Sequence, residues 1–245
     1  MNLLEVQGLR KTYPAFRLED VSFSVPEGAV MGLIGRNGAG KSTTLKSILG
    51  LVHPDAGRVE MFGREFSENE RYIKENIGVV LGGIDFYPKK KVRTITDVTR
   101  RFYSNWQEEK YRHYLDLFAI DENKRVDQLS SGMRVKYLLA LALSHNARLL
   151  ILDEPTSGLD PVSRDELAEL LRRIAADGTR SVLFSTHITS DLEKCASHIA
   201  FIQEGRLQRS DTLAGYMAHN ADLGSTLEEI IVAAERRPYD AEAII

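Results

Sequence analysis

The sequence predicts an α/β protein with a mixed, largely parallel sheet, an N-terminal antiparallel β-subdomain and an inserted helical subdomain. Three observations carry this. Residues 30–34, 149–152 and 181–185 are apolar runs of the kind expected of strands buried on both faces. Amphipathic segments at 41–51 and 161–176 alternate with such runs, which implies parallel strands joined by crossover helices. Between about 87 and 147 the pattern becomes helical throughout.

Residues 1–30 read as short strands. Leu3, Glu5 and Gln7 alternate with Leu4 and Val6, and residues 21–25 alternate before the Pro26-Glu27-Gly28 turn. Val30, Met31, Leu33 and Ile34 then run into Gly35-Arg36-Asn37-Gly38-Ala39-Gly40-Lys41-Ser42-Thr43, which fits the pattern G, four residues, G, K, S/T. Leu45, Ile48, Leu49 and Val52 recur at helical spacing, so a strand must turn sharply into a helix here. Glycines let the backbone take positive φ and bring N–H groups close to an anion, and the helix N-terminus adds partial positive charge. In this phosphate cradle Lys41 is placed for the β- and γ-phosphates of a nucleoside triphosphate, and the Ser42 hydroxyl for the shell of a Mg²⁺ ion.

The helix ends near the turn-rich residues 53–57, and strands follow at 59–62 and 77–81. In the helical region Ile95, Val98, Phe102 and Trp106 form one stripe, and Tyr111, Tyr114, Leu115, Leu117 and Phe118 a second. Strands return at 149–152, 181–185 and 198–202, with a helix over 161–176 ended by Gly178. Leu223, Leu227, Ile230, Ile231 and Ala234 suit a small packing helix ahead of a frayed tail. There is no repeat, low-complexity tract or linker.

At 245 residues the chain fits one large domain carrying a subdomain. A formal net charge of −3 gives no global argument for nucleic acid, and none is expected as partner. Cys195 is the single cysteine; an intramolecular disulfide is excluded, a reducing compartment is compatible, and a small buried thiol in a helix is expected. The N-terminus lacks a basic segment followed by an apolar one, so no secretory signal is expected. Ser144, His145, Asn146 and Arg148 interrupt the apolar residues between Leu138 and Leu152, so the chain is expected to stay in the cytoplasm without crossing a membrane. Lys89-Lys90-Lys91 with Arg93, Arg100 and Arg101 reads as a solvated face, or as a contact for an acidic or membrane-proximal partner.

The run at 149–152 ends in Asp153-Glu154, at the strand end where open α/β sheets place their chemistry. Asp153 is the candidate Mg²⁺ ligand, through water. Glu154 is the candidate for orienting or deprotonating the attacking water, work worth about 10²- to 10⁴-fold in rate.

With these residues in place the chain resembles the ATP-binding subunit of an ABC transporter over nearly its whole length. The resemblance rests on the phosphate loop (Walker A), Leu129-Ser130-Ser131-Gly132-Met133 at the place of the LSGGQ-type signature, Asp153-Glu154 (Walker B), Ser157-Gly158-Leu159-Asp160 (D-loop) and His187 (switch histidine). It implies a P-loop NTPase core spanning 1–220 with the helical subdomain at about 87–147, and a short C-terminal helix and tail at 221–245. It also implies ATP and Mg²⁺ as cofactors, with two copies, a homodimer, sandwiching two ATP head to tail. Gly35, Asn37, Gly38, Ala39, Gly40, Lys41, Ser42 and Thr43 would hold the phosphates and Ser42 with Asp153 the metal; Tyr13 would stack on adenine. Glu154 and His187, with Lys41, would carry catalysis. Ser130 opens a helix bearing Val135, Leu138, Leu139 and Ala142 on one face, and with Gly132 and Asp160 it would serve the partner's nucleotide. Ser131 and Met133 depart from the usual Gly and Gln. Gly82, followed by Gly83, stands where a metal-binding Gln is usual, and Asp85 or water would replace it.

The resemblance further implies separate membrane-spanning subunits and places the chain on the inner face of the cell membrane, closest in appearance to ABC-2 type exporters. The alternative is an ABC ATPase of translation, DNA repair or chromosome organisation, but such relatives usually carry two cassettes or long coiled coils, and neither is present. A GTPase would need an N-K-x-D guanine motif, and Asn123-Lys124-Arg125-Val126 lacks its Asp.

Overall fold

The computed structural model describes residues 1–81 and 87–236. It opens with two long strands, β1 (Asn2–Tyr13) and β2 (Phe16–Pro26), joined by a two-residue turn. The expected short strands are merged because bulges absorb the breaks in alternation: the register shifts between Val6 and Leu9, where Gly8 takes φ +60° and hydrogen-bonds Ser22. After β3 (Val30–Ile34) and the glycine loop, α1 (Lys41–Ile48) is shorter than the expected 41–51, since the chain leaves the helix at Gly50, φ +69°. β4 (Ala56–Met61) and β5 (Arg64–Glu65) complete the antiparallel part.

Next come α2 (Phe66–Asn76), which the sequence reading misses, and β6 (Ile77–Leu81). Ile73 is the only buried residue of α2, so no apolar stripe announces it. α3 (Val92–Thr99), a 3₁₀ turn at Arg100–Phe102, α4 (Glu108–Leu117) and α5 (Ser131–Ser144) form the helical region. It has its own core around Val92, Tyr111, Leu115, Val126, Tyr137 and Leu141. Inside that core the Thr96 hydroxyl bonds those of Tyr111 (2.8 Å) and Tyr137 (2.9 Å), so three helices share one satisfied polar cluster. The stripe read through Val98 and Phe102 is corrected: these side chains are 53% and 73% exposed, while Ile95 and Trp106 pack inward.

β7 (Leu149–Asp153), α6 (Pro161–Ala175), β8 (Ser181–Thr186), α7 (Thr189–Cys195) and β9 (His198–Gln203) follow. β10 (Arg206–Thr212), α8 (Leu213–His219) and α9 (Leu227–Glu235) end the described chain. Cys195 is buried in α7 as expected, with burial pushing its thiol up to about 12, so it is an inert packing group. Leu223 lies outside α9, because Thr226 caps that helix in a reciprocal pair with Glu229.

The strands join in the order β5-β4-β1-β2-β10-β9-β3-β8-β7-β6. β9, β3, β8, β7 and β6 run parallel, whereas β5, β4, β1 and β2 pair antiparallel and meet the rest through β10. One apolar cluster fills the space between the antiparallel strands, α1 and the central strands; a second lies on the opposite face under α5, α6, α7 and α9. This layering brings the carboxyl ends of β3, β7 and β8 side by side.

Candidate nucleotide site

Two glycines fix the loop after β3. A Cβ on Gly35 would stand 2.1 Å from the Ile202 carbonyl, and Gly40 caps α1 at φ +114° with the Phe16 ring 2.9 Å from where its Cβ would be. Only glycine permits this backbone path. Gly40 offers no side-chain acceptor and the first turn of α1 carries no carboxylate, so the N–H groups of Lys41, Ser42 and Thr43 are left for an anion.

Lys41, 5% exposed, donates to the carbonyls of Gly35 (2.7 Å) and Arg36 (3.2 Å), and its Nζ lies 3.2 Å from Glu154 Oε1. His187 Nδ1 is 2.8 Å from the other oxygen of the same carboxylate. Ser42 donates to Asp153 Oδ1 at 3.1 Å. Residues read separately from three strand ends are therefore one connected cluster. Glu154 holds φ +49°, a conformation that costs a non-glycine residue about 1–3 kcal/mol and recurs at functional positions.

Ser185 is the residue the sequence reading misses. Its hydroxyl donates to Asp153 Oδ1 (2.6 Å) and accepts from the Glu154 N–H (2.9 Å), so one buried side chain fixes the Asp153 carboxylate and the Glu154 backbone. The signal was a serine inside the apolar run before His187.

Tyr13 sits at the β1–β2 tip, directly opposite Phe16, 38% exposed and with Lys11 Nζ 5.9 Å from its ring centre. Asn37, Gly38 and Ala39 form the crest of the loop, Asn37 and Gly38 exposed and Ala39 buried.

Ser130, Gly132 and Asp160 assemble elsewhere. Ser130 caps α5 by accepting from the Met133 N–H (3.2 Å). Asp160 caps α6 through the N–H groups of Val162 (3.0 Å) and Ser163 (3.1 Å), and takes the Ser163 hydroxyl at 2.6 Å; these bonds hold its carboxyl below the usual range. Gly132 packs towards Ser163, 3.5 Å from where its Cβ would be, and Ser131 Oγ reaches the Gly158 carbonyl at 3.4 Å. The N-termini of α5 and α6 thus meet in a second group. Gly82, Gly83 and Asp85 lie outside the described residues.

A helix end that seeks phosphate, facing a carboxylate able to polarise water, defines the P-loop nucleoside triphosphatases. The family model described as ABC transporter matches residues 18–157, and with more than half of its length so matched the chain belongs to that family. It is an ATP-binding and ATP-hydrolysing subunit. The bacitracin transport ATP-binding protein BcrA of Bacillus licheniformis is 32% identical over 208 residues, 84% of this chain and 68% of that protein. The Nod factor export ATP-binding protein I of Burkholderia orbicola is 39% identical over 191 residues, 76% of this chain and 62% of that protein. The chain therefore spans about two thirds of these relatives. A solved structure described as an ATP binding subunit of an ABC transporter superposes with a TM-score of 0.84 at 28% identity, covering 96% of this chain and 100% of that one. A dimeric ATP-binding cassette in a post-hydrolysis state, bound to ADP and Pi, shares the fold at a TM-score of 0.75 and 21% identity over 86% of this chain and 98% of that one.

Proposed function

We propose that this chain is half of a two-chain ATPase that powers export through separate membrane-spanning subunits. The carrying observation is the division of its candidate nucleotide-site residues into two clusters: Lys41, Ser42, Asp153, Glu154 and His187 in one, Ser130, Gly132 and Asp160 in the other. Two identical chains placed head to tail would bring each cluster against the partner's other one, closing two ATP sites. The names of the relatives, a bacitracin transport protein and a Nod factor export protein, support transport, and the second of them supports its outward direction.

In this reading the loop from Gly35 to Thr43 binds the triphosphate, Tyr13 stacks on adenine, and Lys41 exchanges Glu154 for the γ-phosphate. Glu154, held by His187 and by Ser185 behind it, takes the proton of the attacking water. Ser42 and Asp153 offer hydroxyl and carboxylate oxygens of the hard kind Mg²⁺ prefers, with phosphate oxygens to complete the shell; bound there, the ion neutralises phosphate charge. Residues 1–220, including the helical part at 87–147, form the ATP-binding domain, and 221–245 its C-terminal helix and tail.

Among the described residues no helix is long and apolar enough to cross a membrane. As an ABC ATP-binding subunit, like the transport proteins it resembles, the chain would sit on the cytoplasmic face through its membrane partners. The surface supporting such a partner lies around α3, where exposed Val98 and Phe102 adjoin Arg101 and a cleft of about 240 Å³ lined by Leu81, Ile95, Tyr103 and Leu138. Affinity capture from detergent-solubilised membranes tests this: a multi-span protein is expected, lost on Phe102→Ser with the ATPase of the isolated subunit retained. Capture of ribosomes or DNA would overturn it.

A further inference from the structure

The last turn of α9 ends on the phosphate loop, 199 residues away in sequence. Glu235 Oε1 accepts the Arg36 backbone N–H at 3.2 Å, and its Oε2 lies 3.8 Å from the Arg36 guanidinium. The side chain is only 11% exposed. Arg36 is itself placed on both sides of this contact, since its carbonyl receives Lys41.

A carboxylate is an odd choice for this place. It stands at the C-terminal end of a helix, where the macrodipole disfavours negative charge, and burial raises its pKa against the opposing pull of Arg36 and Lys41. The helix is nonetheless firmly held there. Leu227, Ile230 and Ile231 are buried in the same cluster as Leu192 and Phe201, the Leu227 N–H donates to Glu193, and Gln203 donates to the Ala234 carbonyl. The packing of α9 therefore delivers the carboxylate to the loop.

We propose that Glu235 sets the nucleotide affinity of the phosphate loop, pairing with Arg36 and placing a negative charge beside Lys41 that an incoming polyphosphate must oppose. Two effects compete. As an acceptor for the Arg36 N–H, Glu235 would steady the loop and favour binding; as a charge, it repels phosphate and occupies the loop's free cation. A glutamine keeps the first effect and removes the second, so the two are separable. Charge repulsion in a partly buried site outweighs one hydrogen bond that the amide oxygen can replace, so the net effect of Glu235 is to weaken binding. This inference rests on the ATP site proposed above.

The experiment compares the parent chain, Glu235→Gln and Glu235→Asp for binding of ATP, ADP and AMP, and for KM and kcat of hydrolysis. Glu235→Gln is expected to bind ATP about tenfold tighter, ADP less so and AMP unchanged, with KM lowered and kcat within about twofold, while Glu235→Asp stays near the parent. In an Arg36→Gln background the gain should shrink, because no guanidinium is released. An unchanged or weaker ATP affinity in Glu235→Gln overturns the proposal, as does an equal gain for all three nucleotides. A parent that binds no ATP overturns the site reading and this inference with it.

Discussion

Lys41 Nζ and Glu154 Oε1 stand 3.2 Å apart, with the lysine buried and the carboxylate's other oxygen on His187. In the proposed site, the ammonium that would meet a γ-phosphate is thus already satisfied by the carboxylate proposed to activate water. ATP would then exchange one anion for another on Lys41, and that exchange would free Glu154 for its proposed task. On this proposal Glu154→Gln weakens the competitor and removes the base. Its ATP affinity should equal or exceed the parent's, while kcat falls by about 10² or more. Equilibrium binding beside steady-state hydrolysis checks both halves; a weakened affinity would show that the ion pair does not compete with nucleotide.

Ser185 holds Asp153 and the Glu154 backbone from behind. Ser185→Ala leaves a buried carboxylate and a backbone N–H short of a partner, a cost of about 1–3 kcal/mol, or roughly 2–6 °C in Tm for a chain of this size. Because the same hydroxyl orients Asp153, a higher Mg²⁺ requirement for hydrolysis should accompany the lower Tm. A melting shift with an unchanged Mg²⁺ curve would reduce Ser185 to packing.

Tyr13 offers an exposed ring at the hairpin tip. Tyr13→Ala should raise KM for ATP about fivefold, near 1 kcal/mol of lost stacking, with kcat little changed and Tyr13→Trp restoring affinity. Equal KM values in parent and alanine variant would remove the ring from the site.

His145 is buried beneath Tyr103, with ring centres 3.7 Å apart, and burial lowers its pKa to about 4. The folded state holds this imidazole neutral while the unfolded chain protonates it below about 6.5. Stability from this site is therefore complete above pH 6.5 and is lost as pH falls towards 4, up to about 3 kcal/mol in all. His145→Phe should reduce the drop in Tm between pH 7 and pH 5 relative to the parent; identical drops would contradict the assignment.

The phosphate loop and Asp153-Glu154 were legible because their chemistry fixes residue types at short spacing, and the apolar strands flanking them show their burial in composition alone. α2 was illegible because only Ile73 of it is buried, and β10 because its exposed and half-buried residues alternate without an apolar face. Val98 and Phe102 misled for the opposite reason: they keep core-like spacing on a surface. Glu235 left no local signal at all, since its partner lies at the far end of the sequence and the contact exists only once α9 packs.

The central claim, that each ATP site is closed by two chains, is tested most directly by the mass of Glu154→Gln in solution, with and without ATP and Mg²⁺. A monomer of 27.5 kDa that becomes a dimer only with ATP, and stays monomeric when Ser130 is also replaced by Phe, is the predicted result. A protein that remains monomeric at saturating ATP would contradict it.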